Sequence, residues 1–233
     1  MAKGYPIPGL KLVMPNRNYI LVVRAYFGLQ LYLSVTLCGM CKGSENDMYG
    51  VHAGNCNSGG NFVRRHDAMK HKFAALCREA GYSTETEPVN VMEDGSLDRP
   101  ADVLVRNFRG GRDFAIDVNI TSSTNGQHDP SSILDRVADR KIQKYRARCE
   151  AANIDFEPMV MDAIGGFHKD AIPILRTLGN RWAISKNCTP ATGRSRVVQQ
   201  ISFQVKRVMG EEYAKRDPGR ELIEVVSLEE TVV

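Results

Sequence analysis

Apolar and polar positions follow two different periods through the middle of the chain. Apolar residues recur at helical spacing over 62–80 and again over 131–150. Between these segments lie two runs rich in β-branched and aromatic residues, ADVLVRNF and RDFAIDVNIT, joined by an Arg-Gly-Gly sequence at 109–111. The pattern predicts two helices separated by a β-hairpin.

The first of these helices is predicted to have an apolar stripe and a basic polar side. The stripe would consist of Phe62, Met69, Phe73, Leu76 and Cys77. The polar side would carry Arg64, Arg65, Lys70 and Lys72. A glycine at position 81 is a typical stop signal for such a helix.

Further elements extend this core on both sides. Residues 82–91 alternate like a half-exposed strand, and residues 156–163 are typical of a further strand. The sequence MEDGSLDRP predicts a turn around Asp94 and Gly95. The resulting order is helix, three strands, helix, strand. It predicts an α/β fold in which a central mixed sheet is covered by helices.

Both ends of the chain are also predicted to be helical. Residues 17–35 are mainly apolar, and RSRVVQQISFQVKRVM is an amphipathic basic segment that would pack on the N-terminal helix or add to a basic surface. A loop is predicted at 187–195, and Gly165 and Gly166 are expected to end the core. The predicted segments are 1–37 (helical), 38–60 (rich in Cys, Gly and Asn), 61–165 (core) and 166–233 (helical extension).

The composition fits a folded chain of moderate size. With 233 residues, 42% hydrophobic and 25% charged, the chain can bury one sizeable core and carry a smaller appendage. Disorder over most of the chain is therefore excluded. The net charge of +4 is compatible with a polyanionic partner but does not require one.

The sequence predicts neither export nor a membrane span. The first residues lack the pattern of a secretory signal, so the six cysteines are expected to be reduced thiols in an intracellular protein, nuclear if the source is eukaryotic. The longest apolar stretch, 19–37, is interrupted by Arg24 and Gln30 and falls short of the roughly 20 clean apolar residues that a span needs.

Cys38, Cys41, His52 and Cys56 have the spacing C-x2-C-x10-H-x3-C, in which two close pairs can supply a tetrahedral site. The surrounding segment, 38–60, has too few apolar residues to bury a core of its own. We therefore predict a structural Zn²⁺ in a zinc knuckle, with four protein ligands and no open position. The alternative is three ordinary cysteines and a surface histidine.

Two aspartates are predicted to lie side by side on the hairpin strands. Asp102 and Asp117 occur within the apolar sequences PADVLV and FAIDVNI, where an isolated carboxylate would be costly to bury. A Mg²⁺ ion held by both would offset that cost, activate water and stabilise charge on a phosphodiester. The alternative is a sheet-edge cap and a hydrogen-bonded strand aspartate.

The second helix is strongly basic outside its apolar stripe. Lys141 or Lys144 could reach the two aspartates, one to orient the nucleophile or stabilise the transition state and the other to bind a phosphate. Lys141 borders the stripe and is predicted to point more nearly at the sheet. The alternative is that RKIQKYRAR is a solvated charged face.

Several of these motifs together resemble the restriction-like endonuclease domain of site-specific non-LTR retrotransposons, a branch of the PD-(D/E)xK nuclease superfamily. The resemblance covers about residues 20–165 and depends on the order and spacing of the motifs. They are the Cys-Cys-His-Cys knuckle, Arg65-His66-Asp67, Gly81-Tyr82, Glu87-Pro88, Arg99-Pro100-Ala101-Asp102, Ile116-Asp117-Val118 and Lys141-Ile142-Gln143-Lys144-Tyr145.

The resemblance implies a restriction-endonuclease-like core and a metal-dependent DNA endonuclease. Asp102 and Asp117 would coordinate Mg²⁺, and Lys141 or Lys144 would replace the lysine that usually follows the second acid. DNA contacts are implied for the knuckle and for Arg64, Arg65 and His66, although a histidine near a helix start can equally have no such role. A reverse transcriptase or its RNA template would be a further partner if the chain belongs to a retroelement.

Two features depart from the superfamily motif. Asn119 stands where its lysine is expected, a departure that also occurs in the retroelement branch, and Ala101 separates Pro100 from Asp102. Three functions therefore stay open: a magnesium-dependent endonuclease, a non-catalytic zinc-stapled nucleic-acid-binding module, and a structural interaction domain. The presence of both acids favours the nuclease, because a module that only binds phosphates gains nothing from carboxylates facing them.

Overall fold

The computed structural model describes residues 12–89, 99, 101–122 and 130–217, without the side chains of 130 and 131. The predicted turn around Asp94 and Gly95, and Pro100, lie outside the described residues. The described chain is an α/β fold with the predicted order of core elements. These are α3 (Asn61–Glu79), β3 (Thr84–Thr86), β4 (Val103–Arg109), β5 (Arg112–Thr121), α4 (Pro130–Ala151) and β6 (Asp155–Asp162).

The remaining elements lie before and after this core. The N-terminal ones are α1 (Asn16–Tyr26), β1 (Thr36–Leu37), β2 (Glu45–Asn46) and α2 (Val51–Asn55), and the C-terminal ones are α5 (Ala171–Ser185) and α6 (Pro190–Arg216). β1 and β2 form a small antiparallel pair.

The main sheet has four strands in the order β3-β4-β5-β6. β3, β4 and β5 pair antiparallel, whereas β5 and β6 are parallel and are connected through α4. The predicted hairpin turn is confirmed: Gly110 and Gly111 have φ of 61° and 76° between the paired residues Arg109 and Arg112. Positive φ at both turn positions is what a two-residue hairpin connection of this type requires.

Helices cover both faces of the sheet, and the two faces of β5 differ accordingly. Ile116 and Val118 belong to a large core shared with α3, α5 and α6. Ala115 faces the other side, where it packs with Ile142 and Tyr145 of α4. The period-2 alternation of a strand therefore directs Asp117 to the same face as Ala115, towards α4.

The prediction for residues 17–35 is half wrong. α1 ends at Tyr26, Gly28 has φ of 65°, and Leu29 and Leu33 are exposed. The apolar character of the sequence did not indicate where the helix ends, because several of the apolar residues after Tyr26 are exposed. Among the described residues, no helix has the length and apolarity needed to cross a membrane.

The predicted loop at 187–195 is wrong, because α6 already begins at Pro190. The Thr189 hydroxyl accepts a hydrogen bond from the Thr192 amide at 3.2 Å, and proline occupies the first helical position, a favourable start for a helix. The basic segment within α6 is helical as predicted. It packs on α1, where Gly210 lies close to Asn18.

Close packing between α5 and α6 depends on two glycines. A Cβ at Gly193 would lie 2.3 Å from the carbonyl oxygen of Gly179 and 2.6 Å from Cβ of Ala183. We expect Gly193→Ala to lower the free energy of unfolding, measured by urea denaturation. The backbone oxygen cannot rotate away, so the steric cost of about 1–3 kcal/mol should lie at its upper end and outweigh the helix-propensity gain of about 1 kcal/mol.

The matched control is Ser195→Ala, an exposed position two residues along the same helix. It should leave stability within about 0.5 kcal/mol of the unsubstituted chain. An equal or higher stability of Gly193→Ala would show that the two helices can separate without cost.

Candidate metal centres

The four predicted zinc ligands converge in the structure. Their ligand atoms all lie within 4.8 Å of one another. The Sγ atoms of Cys38 and Cys56 are 3.9 Å apart, and Sγ of Cys41 is 3.5 Å from Nε2 of His52. Tetrahedral zinc, with Zn–S near 2.3 Å and Zn–N near 2.0 Å, gives edges of about 3.8 and 3.5 Å. The cluster is therefore close enough to bind a metal such as zinc.

Short local elements position these ligands. Cys38 and Cys41 lie in the turn between β1 and β2, where the Cys38 amide donates to the Ser44 carbonyl at 2.9 Å. His52 lies in α2, whose first turn is fixed by Asp47, a carboxylate that accepts from the His52 amide at 2.8 Å. A hydrogen bond from the Gly43 amide lowers the pKa of Cys41 to about 7, which favours the thiolate form that binds metal.

A fully buried arginine connects the knuckle to the rest of the fold by hydrogen bonds. Arg216, at the end of α6, donates to the carbonyl oxygens of Cys56 at 3.0 Å and Ser58 at 3.3 Å, and it pairs with the buried carboxylate of Glu212. Asn61 of α3 also donates to the Cys56 carbonyl, at 2.9 Å. The backbone of the last zinc ligand is thus held by both α3 and α6.

Removing a zinc ligand should therefore destabilise the chain. We expect the purified chain to carry one zinc ion, and Cys56→Ser to lose the metal together with several kcal/mol of unfolding free energy, because metal binding stabilises a segment with little core. Metal content by mass spectrometry and thermal unfolding measure the two effects.

Cys188→Ser is the control, since this cysteine lies outside the cluster. It should keep both the metal and the melting temperature. Equal stability of Cys56→Ser and the unsubstituted chain would contradict a structural metal.

The second centre is formed by the two predicted aspartates, which lie side by side. The antiparallel register, with Val103 opposite Ile116, places Asp102 beside Asp117 on the neighbouring chain segment. The Asp102 amide donates to the Ile116 carbonyl at 3.1 Å, and its carboxylate accepts from the Val118 amide at 2.7 Å. We call Asp102 and Asp117 the acid pair.

Asp117 is a buried carboxylate with an incomplete set of hydrogen bonds. Its residue is 5% exposed, and burial followed by the nearby Asp102 carboxylate raises its pKa to about 6. Nζ of Lys141 lies 3.0 Å from Oδ1 and 2.9 Å from Oδ2, but only the contact with Oδ1 has hydrogen-bond geometry. Among the described groups, none donates a well-formed hydrogen bond to Oδ2.

Of the two predicted lysines, the structure brings Lys141 to the acid pair. Lys144 is exposed on α4, and its ammonium group lies 4.7 Å from the ring centre of Tyr145. This difference follows from helical geometry, because Lys141 borders the apolar stripe that packs on the sheet and Lys144 is three residues farther round.

Neither protein-family models nor curated protein sequences significantly match this chain. The interpretation of both centres therefore depends on their geometry and donor chemistry.

A wider ion-pair network approaches the acid pair from α3. Nε2 of His66 lies 2.9 Å from the Asp102 carboxylate, and this hydrogen bond raises the pKa of His66. Lys70, with a side chain only 4% exposed, donates to Asp67 at 2.8 Å and pairs with Glu87. Sequence reasoning placed Lys70 on the polar side of its helix, which is wrong. The spacing of Asp67 and Lys70 was the available signal for their pairing.

The predicted basic face of α3 is only partly at the surface. Arg65 is 2% exposed and donates to the Gly54 carbonyl at 2.9 Å, so its placement does not fit the DNA contact expected of it. Arg64 is half exposed but pairs with Glu212 at 3.1 Å. Phe62, expected in the apolar stripe, is exposed instead.

The raised pKa of Asp117 has a consequence for stability. Because the folded state favours its protonated form, Asp117 adds stability below about pH 4, its usual unfolded value, and that contribution is lost as pH rises through about 6. We expect Asp117→Asn, measured without added magnesium, to have a higher free energy of unfolding than the unsubstituted chain. The difference between the two chains should increase by on the order of 2 kcal/mol between pH 4 and pH 7.5.

Urea denaturation from pH 5 to 7.5 would follow much of this change. Asp139→Asn, at an exposed position of α4, is the control for the loss of one carboxylate. If the difference in unfolding free energy between Asp117→Asn and the unsubstituted chain did not change with pH, the Asp117 carboxylate would be adequately solvated in the folded chain.

Proposed function

We propose that this chain is a metal-dependent DNA endonuclease that hydrolyses phosphodiester bonds at the acid pair. The observation that supports it most directly is the meeting of three groups. Asp102 and Asp117 lie on adjacent segments of the hairpin, and the ammonium group of Lys141 reaches the buried acid from α4. Two carboxylates and one amine on one face of the sheet are the functional groups that metal-assisted phosphoryl hydrolysis needs.

The acid pair fits a divalent cation with oxygen ligands. Oδ2 of Asp117 is buried and lacks a well-formed hydrogen bond, while Asp102 supplies a second carboxylate beside it. A Mg²⁺ ion is commonly held by one or two carboxylates together with a substrate phosphate and water. Asp102 and Asp117 would hold the ion, which when bound supplies a lowered pKa for water and a positive charge near the phosphate.

The neighbouring side chains have complementary tasks in hydrolysis. A water oxygen bonds to phosphorus and gives up a proton, while the bond from phosphorus to one deoxyribose oxygen breaks and that oxygen takes up a proton. Lys141 is placed to stabilise the negative charge that develops on the phosphoryl oxygens. His66, by its contact with Asp102, orients that carboxylate.

The fold supports the proposed relationship to restriction-like endonucleases. The element order from α3 to β6 and the mixed sheet agree with what the resemblance implies. Asn119 occupies the position of the missing lysine, and an amine from α4 reaches Asp117 in its place. A reverse transcriptase or RNA template as partner, and a nuclear location, stay predictions from the resemblance.

DNA is the proposed substrate because α4, the helix that brings Lys141 to the acid pair, carries several exposed cationic side chains. Arg136, Arg140 and Lys144 are exposed on the helix that carries Lys141. Phosphate contacts of this kind position a duplex without reading its sequence. The zinc cluster would act structurally by holding the segment that packs against α3 and α6.

One observation favours the non-catalytic alternative. The Lys141 ammonium lies within 3.0 Å of both carboxylate oxygens of Asp117, so the two side chains form an ion pair without any metal. In that case the chain would bind nucleic acid through its basic helix and its knuckle.

Nicking of supercoiled plasmid separates the two functions. We expect cleavage that requires added Mg²⁺ and that falls about 100-fold or more in Asp117→Asn and in Lys141→Ala, because each removes a group that stabilises the transition state. DNA binding, measured by fluorescence anisotropy without magnesium, should persist in Asp117→Asn.

Lys144→Ala is the matched control, since it removes the same charge from the same helix at a position whose ammonium group packs on Tyr145. It should weaken binding modestly and keep most of the cleavage rate. Absence of nicking in the unsubstituted chain, together with DNA binding that weakens steeply with salt, would instead establish the binding module.

A further inference from the structure

A cleft of about 530 Å³ opens beside the acid pair, between α3, α4 and the end of β5. Its volume lies within the range of small-ligand sites, roughly 300–1,000 Å³. Two observations connect it to the acids. His66 lines the cleft and contacts Asp102, and Asn119 follows Asp117 by two residues on the same face of β5.

One wall of the cleft is apolar and aromatic. Phe62 is 42% exposed and Val63 is 63% exposed, so neighbouring apolar side chains at the start of α3 both meet solvent. The guanidinium of Arg65 lies 4.6 Å from the centre of the Phe62 ring and supports that ring from within the fold. Arg65 is itself held by a hydrogen bond to the Gly54 carbonyl, so the cation beneath the ring has a fixed position.

The rest of the lining is mainly polar or cationic, with Ile120 and Val137 as its apolar members. Asn119, Thr121 and Ser122 contribute amide and hydroxyl groups at the end of β5, and Arg140 contributes a guanidinium from α4. Among the described residues that line the cleft, none is acidic. The electrostatic character of the cleft therefore favours an anionic or electron-rich occupant over a basic peptide.

We propose that this cleft receives one unstacked nucleobase of the substrate strand, with its flat face against Phe62 and its polar edge towards Asn119 and Ser122. An aromatic ring, polar side chains and a cation in one cleft match the three parts of a nucleotide, which are the base face, the base edge and the phosphate. The proposal rests on the nuclease function proposed above and specifies its substrate.

The site selects for DNA that is single-stranded or locally unpaired. A base inside a regular duplex is stacked on both faces and cannot lie against Phe62 unless it leaves the stack. Leaving the stack costs least where the base has no pairing partner. The acid pair next to the cleft would then act on a phosphodiester adjacent to the captured nucleotide.

The test compares three fluorescent duplexes of one sequence: fully paired, with a single unpaired thymidine, and with an abasic nucleotide in place of that thymidine. Binding to the zinc-loaded full chain is measured by anisotropy without magnesium. We expect the thymidine bulge to bind more tightly than the abasic bulge by about 5- to 150-fold, the range of one base–aromatic stack. Phe62→Ala should abolish this difference, and Phe62→Trp should restore it.

Phe27→Ala is the control, because Phe27 is 67% exposed but lies outside the cleft. It should keep the preference for the thymidine bulge. Equal binding of the two bulges by the unsubstituted chain, or a preference that survives in Phe62→Ala, would overturn the proposal.

Magnesium-dependent nicking of the same duplexes is measured separately. A base preference that depends on Phe62 without nicking would support the base site and contradict the endonuclease. Nicking without a base preference would support the endonuclease and contradict the base site.

Discussion

The buried carboxylate of Asp117 constrains the arrangement of the whole core. A carboxylate on a central strand is costly to desolvate, and here burial and a neighbouring acid raise its pKa to about 6. The ammonium group of Lys141, on α4, offsets this cost by pairing with the Asp117 carboxylate. The pairing requires α4 to pack in one register, with Ile142 and Tyr145 against the sheet and Lys141 at its border. One charge on a strand thus determines which turn of the helix faces it.

A second buried charge has the same role for the N-terminal half of the chain. The knuckle has little apolar area to bury, so its position depends on polar contacts as well as on its metal ligands. Arg216 satisfies the carbonyl oxygens of Cys56 and Ser58 with a fully buried guanidinium, and Glu212 neutralises it. Such a group is stable in the interior because its donors meet acceptors of fixed geometry.

Features that depend on local periodicity could be predicted from the sequence, whereas those that depend on distant partners could not. The hairpin, α3, α4 and the convergence of Cys38, Cys41, His52 and Cys56 could be predicted from period or spacing, and the helical wheel favoured Lys141, which contacts Asp117, over Lys144. The burial of Arg65 and Lys70 was missed because their partners, Gly54 and Glu87, come from other segments. The end of α1 was missed because the apolar run continues past it, with Leu31 and Tyr32 buried outside any helix and Leu29 and Leu33 exposed.

The cluster of predicted zinc ligands and the cleft are connected through α2. α2 carries the ligand His52 and also Asn55, which lines the cleft. Arg65 joins the same helix to the cleft wall, because it donates to the Gly54 carbonyl and supports the ring of Phe62. A metal that orders α2 therefore also orders the aromatic wall beside the acid pair. Under the proposed function, a zinc ion bound there would contribute to substrate recognition without touching the substrate.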